Sequence, residues 1–287
     1  MKHAESPRLR AIFALALAAL CALCPAVPLA EWVPSPPCFA EEPDHSYIDD
    51  HIAIRIARYE ESDPVRLLYF IADVQITSPE SLVCGLSGDR WNGVNEKTSD
   101  MARRHGALLA INADDYRTHG AGIIIRNGTI YRSKGSTRHM LTIDGNGDFG
   151  VSPHQRTESS YDLARRMLAD GIVHVLEFGP ILVENGEKTV LKDAFKLVPL
   201  SPERREPRTA IAQLGPLHYA LVVAEGRTPR SVGMSVPRMQ RIFLDLGVQT
   251  AFNLDGGGST TLYFNGEVLN RTASNIERQV SDCIMFK

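Results

Sequence analysis

The run Asn253-Leu254-Asp255-Gly256-Gly257-Gly258-Ser259-Thr260-Thr261 gathers more chemistry into a few residues than any other part of this chain. Ala251-Phe252-Asn253-Leu254 reads as a short buried strand that delivers Asp255 at its end. Glycines directly after a strand let the backbone take conformations that a Cβ forbids. They also let a ligand or another segment come close to the main chain. Their successive amides can form a nest for an anion. A β-prone stretch, Ser259 to Phe264, then resumes and turns at Asn265-Gly266. A carboxylate, an anion-ready backbone and hydroxyls would thus share the lip of a sheet, although a purely structural Gly-rich turn explains the same shape equally well.

Other polar residues fall where strands are expected to end: Asn112, Asp114, Asp115, Glu177, Arg208, Glu225, Arg227 and Arg278. Strand ends and their loops are where sites are usually built. Taken singly, each arginine is better read as a surface ion pair, Asp115 and Arg227 as turn or solvent residues, and His119 as a loop or rim residue. The common nucleotide motifs fail. Gly256-Gly257-Gly258-Ser259 has no lysine for a P-loop and misses the dinucleotide spacing. Gly257-Gly258-Ser259-Thr260-Thr261 lacks the last glycine of a nucleophile elbow. Asp144-Gly145-Asn146-Gly147-Asp148 starts like a calcium loop, but Phe149 and Gln155 stand where Gly and Glu are required, so it reads as a plain turn. No close-spaced Cys or His pattern suggests zinc.

The elements that must position these residues are partly visible. Alternation from Ile52 to Tyr59 predicts a half-buried strand, followed by another over Arg66 to Ile76. Ser81 to Asn95 reads as a loop. Thr98 or Ser99 is expected to cap a short helix that runs to His105 and stops at Gly106. The apolar run Ala107 to Ile111 then delivers Asn112, Asp114 and Asp115. Three Asn-Gly pairs between β-prone arms (Asn127-Gly128, Asn185-Gly186 and Asn265-Gly266) predict hairpins, because both turn residues must accept positive φ. Ser159 or Ser160 caps a helix that ends near Gly171, with a strand following at Val173 to Leu176. Pro199 to Pro207 is expected as a charged surface loop. Strands Ala210 to Leu214 and His218 to Ala224 flank the Gly215-Pro216 turn. Ser235 caps the clearest helix, in which Met239, Ile242, Phe243 and Leu246 share a face until Gly247. Together these predict one α+β domain of mixed β-sheet, with several hairpins and a few packed helices.

Composition sets the outer bounds. The chain has 287 residues, 44% of them hydrophobic, and a formal net charge of -3, which excludes a global basic field for nucleic acid. Lys2, Arg8 and Arg10 precede an apolar run from Ala11 to Cys24, short for a membrane span and broken by Pro25 and Pro28. Residues 1–30 therefore read as an export signal, cleaved after Ala30 or after Ala40. The alternative is an uncleaved anchor over Ala11 to Ala30. No small residue precedes Cys21 or Cys24, which argues against a lipoprotein signal. Residues 31–45 are Pro-rich and read as a linker or removed segment, with the domain over 46–287. In an oxidising, extracytoplasmic compartment Cys84 and Cys283 could pair.

Taken in order, several pieces resemble the phosphodiester glycosidase family. They are Ala110-Ile111-Asn112-Ala113-Asp114-Asp115-Tyr116, Phe178-Gly179-Pro180-Ile181-Leu182-Val183, Pro207-Arg208-Thr209-Ala210, Ala224-Glu225-Gly226-Arg227, Asn253 to Ser259, and Glu277-Arg278. The likeness runs from about Leu82 to Phe286, and its most specific parts are Arg208-Thr209-Ala210 and Asp255-Gly256-Gly257-Gly258-Ser259. Two departures stand out: Asn112-Ala113 where the family usually has Asn-Gly, and Glu225-Gly226-Arg227 where it usually has Asp-Gly-Arg. The resemblance implies cleavage between a sugar and a phosphodiester, releasing sugar and a phosphomonoester. Arginine can hold phosphate bidentately, and a carboxylate can stabilise, attack or activate water toward an oxocarbenium-like sugar. On that reading Arg208 and Arg278 bind phosphate beside a Gly256 to Gly258 nest and Ser259. Asp255 and Asp114 form the carboxylate pair, with Glu177 and Glu225 in reserve. Asn112 binds a sugar hydroxyl or positions a carboxylate. No cofactor is required. Two other classes stay open: a non-catalytic envelope protein binding sugar-phosphate polymers, and a phosphodiesterase in which Asp114 and Asp255 share a divalent cation.

Overall fold

Two long strands carry the alternation of the sequence into three dimensions. In the computed structural model, which describes residues 32–153, 159–191 and 201–287, Ile52–Glu61 and Leu67–Ile76 pair antiparallel, with Ile54 opposite Val74 and Ile56 opposite Ala72. Successive side chains leave opposite faces of a strand. Ile52, Ile54, Ile56, Leu68, Phe70 and Val74 therefore enter one apolar core. Ala57, Leu67, Tyr69 and Ile71 enter a second core on the other face. Because both faces are covered, every residue of Leu67–Ile76 is buried, Asp73 and Gln75 included.

These strands belong to an eight-stranded sheet ordered His45–Ile48, Ile52–Glu61, Leu67–Ile76, His218–Ala224, Arg208–Gly215, Thr250–Asn253, Ile181–Glu184 and Glu187–Lys188. Helix Val236–Asp245 covers one face with Val236, Met239, Ile242 and Phe243. The other face packs on two five-stranded sheets. One supplies Leu109, Ile111, Ile284 and Phe286 to the shared core, and the other supplies Leu141, Ile143 and Leu176. Their outer sides are covered by helix Thr98–His105, through Met101 and Ala102, and by helix Ser160–Ala169, through Leu163, Ala164 and Met167. Helices do cover sheets, as the α+β expectation required. Strands dominate, however, and the strand pairings are antiparallel where a mixed sheet was expected.

Local signals account for the turns and most caps. Asn127-Gly128, Asn185-Gly186 and Asn265-Gly266 all take positive φ and close hairpins, with Arg126 opposite Thr129, Glu184 opposite Glu187 and Phe264 opposite Glu267. Ser159 and Ser235 accept from the amides of Asp162 and Arg238. The cap expected from Thr98 or Ser99 is a correction: both lie inside the helix. Glu277 does the capping, accepting from the Ser99 amide at 2.8 Å and the Ser99 hydroxyl at 2.5 Å. A carboxylate there also suits the positive end of the helix. The loop expected over Ser81 to Asn95 contains strand Leu82–Leu86, paired with Asp282–Phe286. Asp144 closes its turn by accepting from the amides of Asn146 and Asp148, both at 2.9 Å.

Pairing parity overturns the disulfide. Cys84 lies opposite Ile284, and Cys283 lies opposite Gly85, so the two thiols leave opposite faces of one sheet. Cys84 enters the central core, while Cys283 sits under helix Thr98–His105 with its thiol 3.7 Å from Met101 Sδ. Both are free thiols. Within the Pro-rich stretch read as a linker, the Ser35 amide donates to Gln75 Oε1 at 2.8 Å and the Cys38 amide to Asp73 Oδ2 at 2.9 Å, while Phe39 is buried. Residues Pro34–Lys287 form one unit. No helix among the described residues is long and apolar enough to cross a membrane, and the expected leader lies outside those residues.

Candidate active site

Sheet register brings the two most specific sequence pieces together. Ala210 lies opposite Asn253. Two residues further, that antiparallel register sets Arg208 at the same sheet end as Asp255, and the Leu254 amide donates to Thr209 O at 2.9 Å. Asn253 also meets the neighbouring segment on its other side. It donates from Nδ2 to Gly179 O at 2.7 Å, and its main chain exchanges hydrogen bonds with Gly179 and Pro180. Around this sheet end lies a cavity of about 480 Å³. Its wall holds five arginines (Arg138, Arg204, Arg208, Arg227 and Arg278) against two acidic residues, Glu206 and Asp255. His139, Phe178, Asn253 and Gly256 to Gly258 complete the part that matters here. In a chain whose net charge is -3, such a concentration of guanidinium groups makes a local anion site.

Asp255 is half-buried, and burial pushes its carboxyl up from 3.8 to about 6. The Ser259 hydroxyl, the Gly256 amide at 2.8 Å and the charge of Arg278 pull the other way without cancelling that effect. The nearby Asp115 adds to the rise. The loop itself is anchored from below. Asn112 donates to Asp255 O at 2.7 Å and accepts from Thr209 Oγ1 at 2.8 Å and from the Thr261 amide at 3.2 Å. Asn112 is buried, so it holds the Asp255 backbone in place instead of reaching a sugar hydroxyl.

The expected glycine nest is corrected. The Gly256 amide is spent on Asp255 Oδ1 and the Gly257 amide on Pro207 O. Cationic side chains stand over the loop instead. Gly257, at φ +61°, has the Arg227 guanidinium against the position a Cβ would take. At Gly258 a Cβ would sit 2.6 Å from Arg278 Cζ, so only glycine leaves room for that guanidinium. Arg278 Nη1 reaches Ser259 Oγ at 3.4 Å, linking the cation through the hydroxyl to Asp255.

The remaining arginines differ in how far they are compensated. Glu206 accepts from Arg227 Nε and Arg204 Nε, each at 2.6 Å. Arg208 donates to two carbonyls, Met234 O at 3.2 Å and Arg204 O at 3.0 Å. Arg138 lies over the Phe178 ring at 5.2 Å. Burial pulls both Arg138 and Arg208 below the ordinary guanidinium value. Partly desolvated cations without a carboxylate partner among the described residues would gain from an arriving oxyanion.

Three predicted carboxylates do not line this cavity. Asp114 is fully buried, with Oδ1 3.1 Å from Arg126 Nη2 and Oδ2 accepting from the Glu177 amide at 2.8 Å. Burial alone would raise its pKa, but Arg126 holds it below the ordinary value. Asp282 shares Arg126 at 2.6 Å, and burial together with Asp114 pushes it well up. Glu177 is buried and accepts from the Ile123 amide at 2.7 Å. Glu225 accepts from the Arg271 amide at 2.5 Å, and burial raises its pKa. Asp114 therefore has no oxygen turned to a space shared with Asp255. Among the described residues no three His, Cys, Asp or Glu side chains are grouped to hold a metal ion.

Reading the sequence alone missed Arg138, His139, Arg204 and Glu206 in the cavity wall, and buried Arg126 and Asp282. Arg204 and Glu206 stood inside the expected surface loop, where only their neighbour Arg208 carried a signal. His139 accepts from the Ile181 amide through Nδ1 at 3.1 Å. The neutral ring must then carry its proton on Nε2, and burial lowers its pKa and favours that neutral form.

A model of the phosphodiester glycosidase family matches residues 105–287. The chain is 27% identical over 197 residues to the SPbeta prophage-derived uncharacterized protein YomE of Bacillus subtilis (strain 168), a match covering 66% of this chain but 29% of that protein. The fold is similar to the catalytic domain of zebrafish N-acetylglucosamine-1-phosphodiester alpha-N-acetylglucosaminidase, solved as auto-inhibited by its pro-peptide. The TM-score is 0.67 at 18% identity, covering 85% of this chain and 86% of that one. A hypothetical protein from Synechocystis matches with TM-score 0.56 at 16% identity, covering 82% of this chain and 62% of that one. The structural likenesses speak for the fold, and the family match, which spans most of the chain and includes Asn112, Arg208, Asp255 and Arg278, speaks for kinship. The chain belongs to the phosphodiester glycosidase family.

Proposed function

We propose that this chain hydrolyses the bond between a sugar and a phosphodiester, releasing the free sugar and a phosphomonoester. The observation that carries this reading is Asp255, the one carboxylate of the wall not paired to Arg204 and Arg227, set at the edge of an arginine-lined cavity and tied to Arg278 through Ser259. Arg208, Arg138 and Arg278 hold the phosphate, with Arg227 beside them. As the bond from the anomeric carbon to the bridging oxygen breaks, its electron pair stays on that oxygen. The same guanidinium groups stabilise the charge that develops there. A phosphate leaves readily, so one carboxylate suffices where an alcohol leaving group would need a general acid as well. Above about pH 6 Asp255 is ionised. It either takes a proton from the attacking water or bonds to the anomeric carbon first and is then released by water; the anomer produced separates the two routes.

Two neutral groups suit the sugar side. Asn253 Oδ1 is buried in the cavity wall without a partner, so a sugar hydroxyl would satisfy it. His139 presents an Nε2 proton as a donor. Asn112 acts one step back, through the Asp255 backbone.

The test is to incubate purified protein with a panel of sugar-1-phosphodiesters and identify which bond breaks. Free sugar and phosphomonoester are expected. Arg208→Ala should raise KM and lower kcat, because it removes both recognition and leaving-group stabilisation. Binding without sugar release by the wild type would sink the hydrolase reading and leave a sugar-phosphate binding protein. Release of sugar-1-phosphate would point to a phosphodiesterase. We also infer that the chain works outside the cytoplasm. The basic start, short apolar run and prolines of residues 1–30 support this, and a purely cytosolic full-length product on fractionation would refute it.

A further inference from the structure

A second cavity, of about 470 Å³, is walled by Trp91, Arg117, His119, Tyr131, Arg132 and Lys134, and no acidic residue lines it. Its cations are held without being neutralised. Arg117 donates to Gly93 O and, at 3.0 Å, to Asn95 Oδ1. Arg132 donates to Tyr116 O and His119 O, both at 2.9 Å. Carbonyls orient a guanidinium but leave its full charge, and among the described residues neither arginine has a carboxylate partner. The aromatic backing is rigid: Trp91 stacks on Tyr116 at 4.6 Å and on Tyr131 at 5.3 Å, with Arg132 over the indole at 5.9 Å. One donor in this wall, Arg132 Nε, is buried with no partner. An orphaned buried donor beside uncompensated cations calls for an external oxygen ligand.

The second cavity adjoins the first. Lys134 lines one and Thr137 the other. Three residues of extended chain span at most about 11 Å between Cα atoms. His119, in the second wall, also feels the charge of Arg138, in the first. Two cation-rich cavities so close together, in a chain of net charge -3, favour a ligand bearing successive anionic groups. We propose that the second cavity is an anion subsite, holding a further phosphate of an extended sugar-phosphate substrate whose scissile unit sits against Asp255. This rests on the hydrolase reading given above for the placement of the scissile unit, and on the second cavity alone for the anion.

The two ideas can fail separately. The chain has two tryptophans, so Trp32→Phe leaves Trp91 as the sole indole reporter. In that background, inorganic tripolyphosphate should change Trp91 emission. The apparent affinity should fall about tenfold or more in Arg117→Gln/Lys134→Glu, equivalent to one lost charge-assisted contact. It should stay unchanged in Arg278→Ala, which lies in the first cavity. No emission change, an unchanged affinity in the double variant, or a loss that follows Arg278→Ala would each overturn the subsite. Thermal melts must show the variants folded; should the double variant not fold, Lys134→Glu alone, at an exposed position, carries the test. In turnover, kcat/KM for a phosphodiester oligomer should fall about tenfold in the double variant while that for a single sugar-1-phosphodiester holds. Equal falls on both would also overturn it. If the wild type turns over neither compound, the hydrolase reading fails, and the emission titration still decides whether the anion site exists.

Discussion

Asp255→Asn should make the protein less active and more stable at once, with the stability gain developing as the pH rises from about 4 through 6. Unfolded, Asp255 titrates near its ordinary 3.8; folded, burial raises it to about 6. Folding therefore favours the protonated form. The stabilising contribution is complete below about pH 4 and is lost as pH rises through about 6. That difference corresponds to about 3 kcal/mol at pH 7.5, an upper figure because the side chain is partly exposed to solvent. Asparagine keeps the shape and can still accept from the Gly256 amide, but it carries no charge to desolvate. In a chain of this size each kcal/mol moves Tm by about 2–4 °C, so the variant should melt several degrees higher than wild type at pH 7.5 and at nearly the same temperature at pH 4. Its kcat should drop on the order of 10²-fold or more if the carboxylate acts at the sugar carbon. Wild-type kcat should climb with pH through about 6 as Asp255 ionises. Thermal melts at the two pH values, with kcat against pH, test all of this. A variant that melted lower than wild type at pH 7.5 would refute the reasoning. It would show that Ser259, Gly256 and Arg278 more than offset burial, making Asp255 a structural ion-pair partner.

Three further outcomes are expected. Arg126→Met should destabilise the fold by about 3–5 kcal/mol in chemical denaturation, because it leaves Asp114 charged in the core without its guanidinium; a loss under about 1 kcal/mol would mean that Asp114 is readily protonated. Gly258→Ala pushes only on the end of the flexible Arg278 side chain, so Tm should stay near wild type while KM for a phosphodiester rises about tenfold; an unchanged KM would remove Arg278 from phosphate binding. Alkylation of denatured, unreduced protein should label both Cys84 and Cys283, and reduction should leave the intact mass unchanged; a mass gain matching one intramolecular disulfide would contradict the strand register.

The residues differ sharply in how much of their fate was legible. The three Asn-Gly hairpins, the Ser159 and Ser235 caps and the helix stop at Gly247 could all be read, because each depends on a backbone preference acting within a few residues. The alternation from Ile52 to Tyr59 could be read because a sheet face repeats every second residue. Arg208 and Asp255 could be paired as candidates through the ordered family pieces, and the register of Ala210 with Asn253 brings them to one sheet end.

Asp114 shows where such reading stops. It follows an apolar strand much as Asp255 does, and by local pattern the two are equivalent. What separates them is company: Arg126 lies on the next strand and Asp282 near the far end of the chain, and together they draw Asp114 into the core. The same holds for Glu277, which caps a helix through Ser99, 178 residues earlier, and for Arg138 and His139, whose place in the cavity wall depends on the segment around Pro180. The sequence by itself determined the Asn-Gly turns, two of the three helix caps, the alternating strands and the family. Tertiary structure alone decided which carboxylate faces the cavity and which cations go uncompensated, and it placed the two buried thiols on opposite faces. The physical reason is that local propensity is spent within a turn or a strand, whereas a side chain's face and charge partners are set by register and packing across strands far apart in the chain.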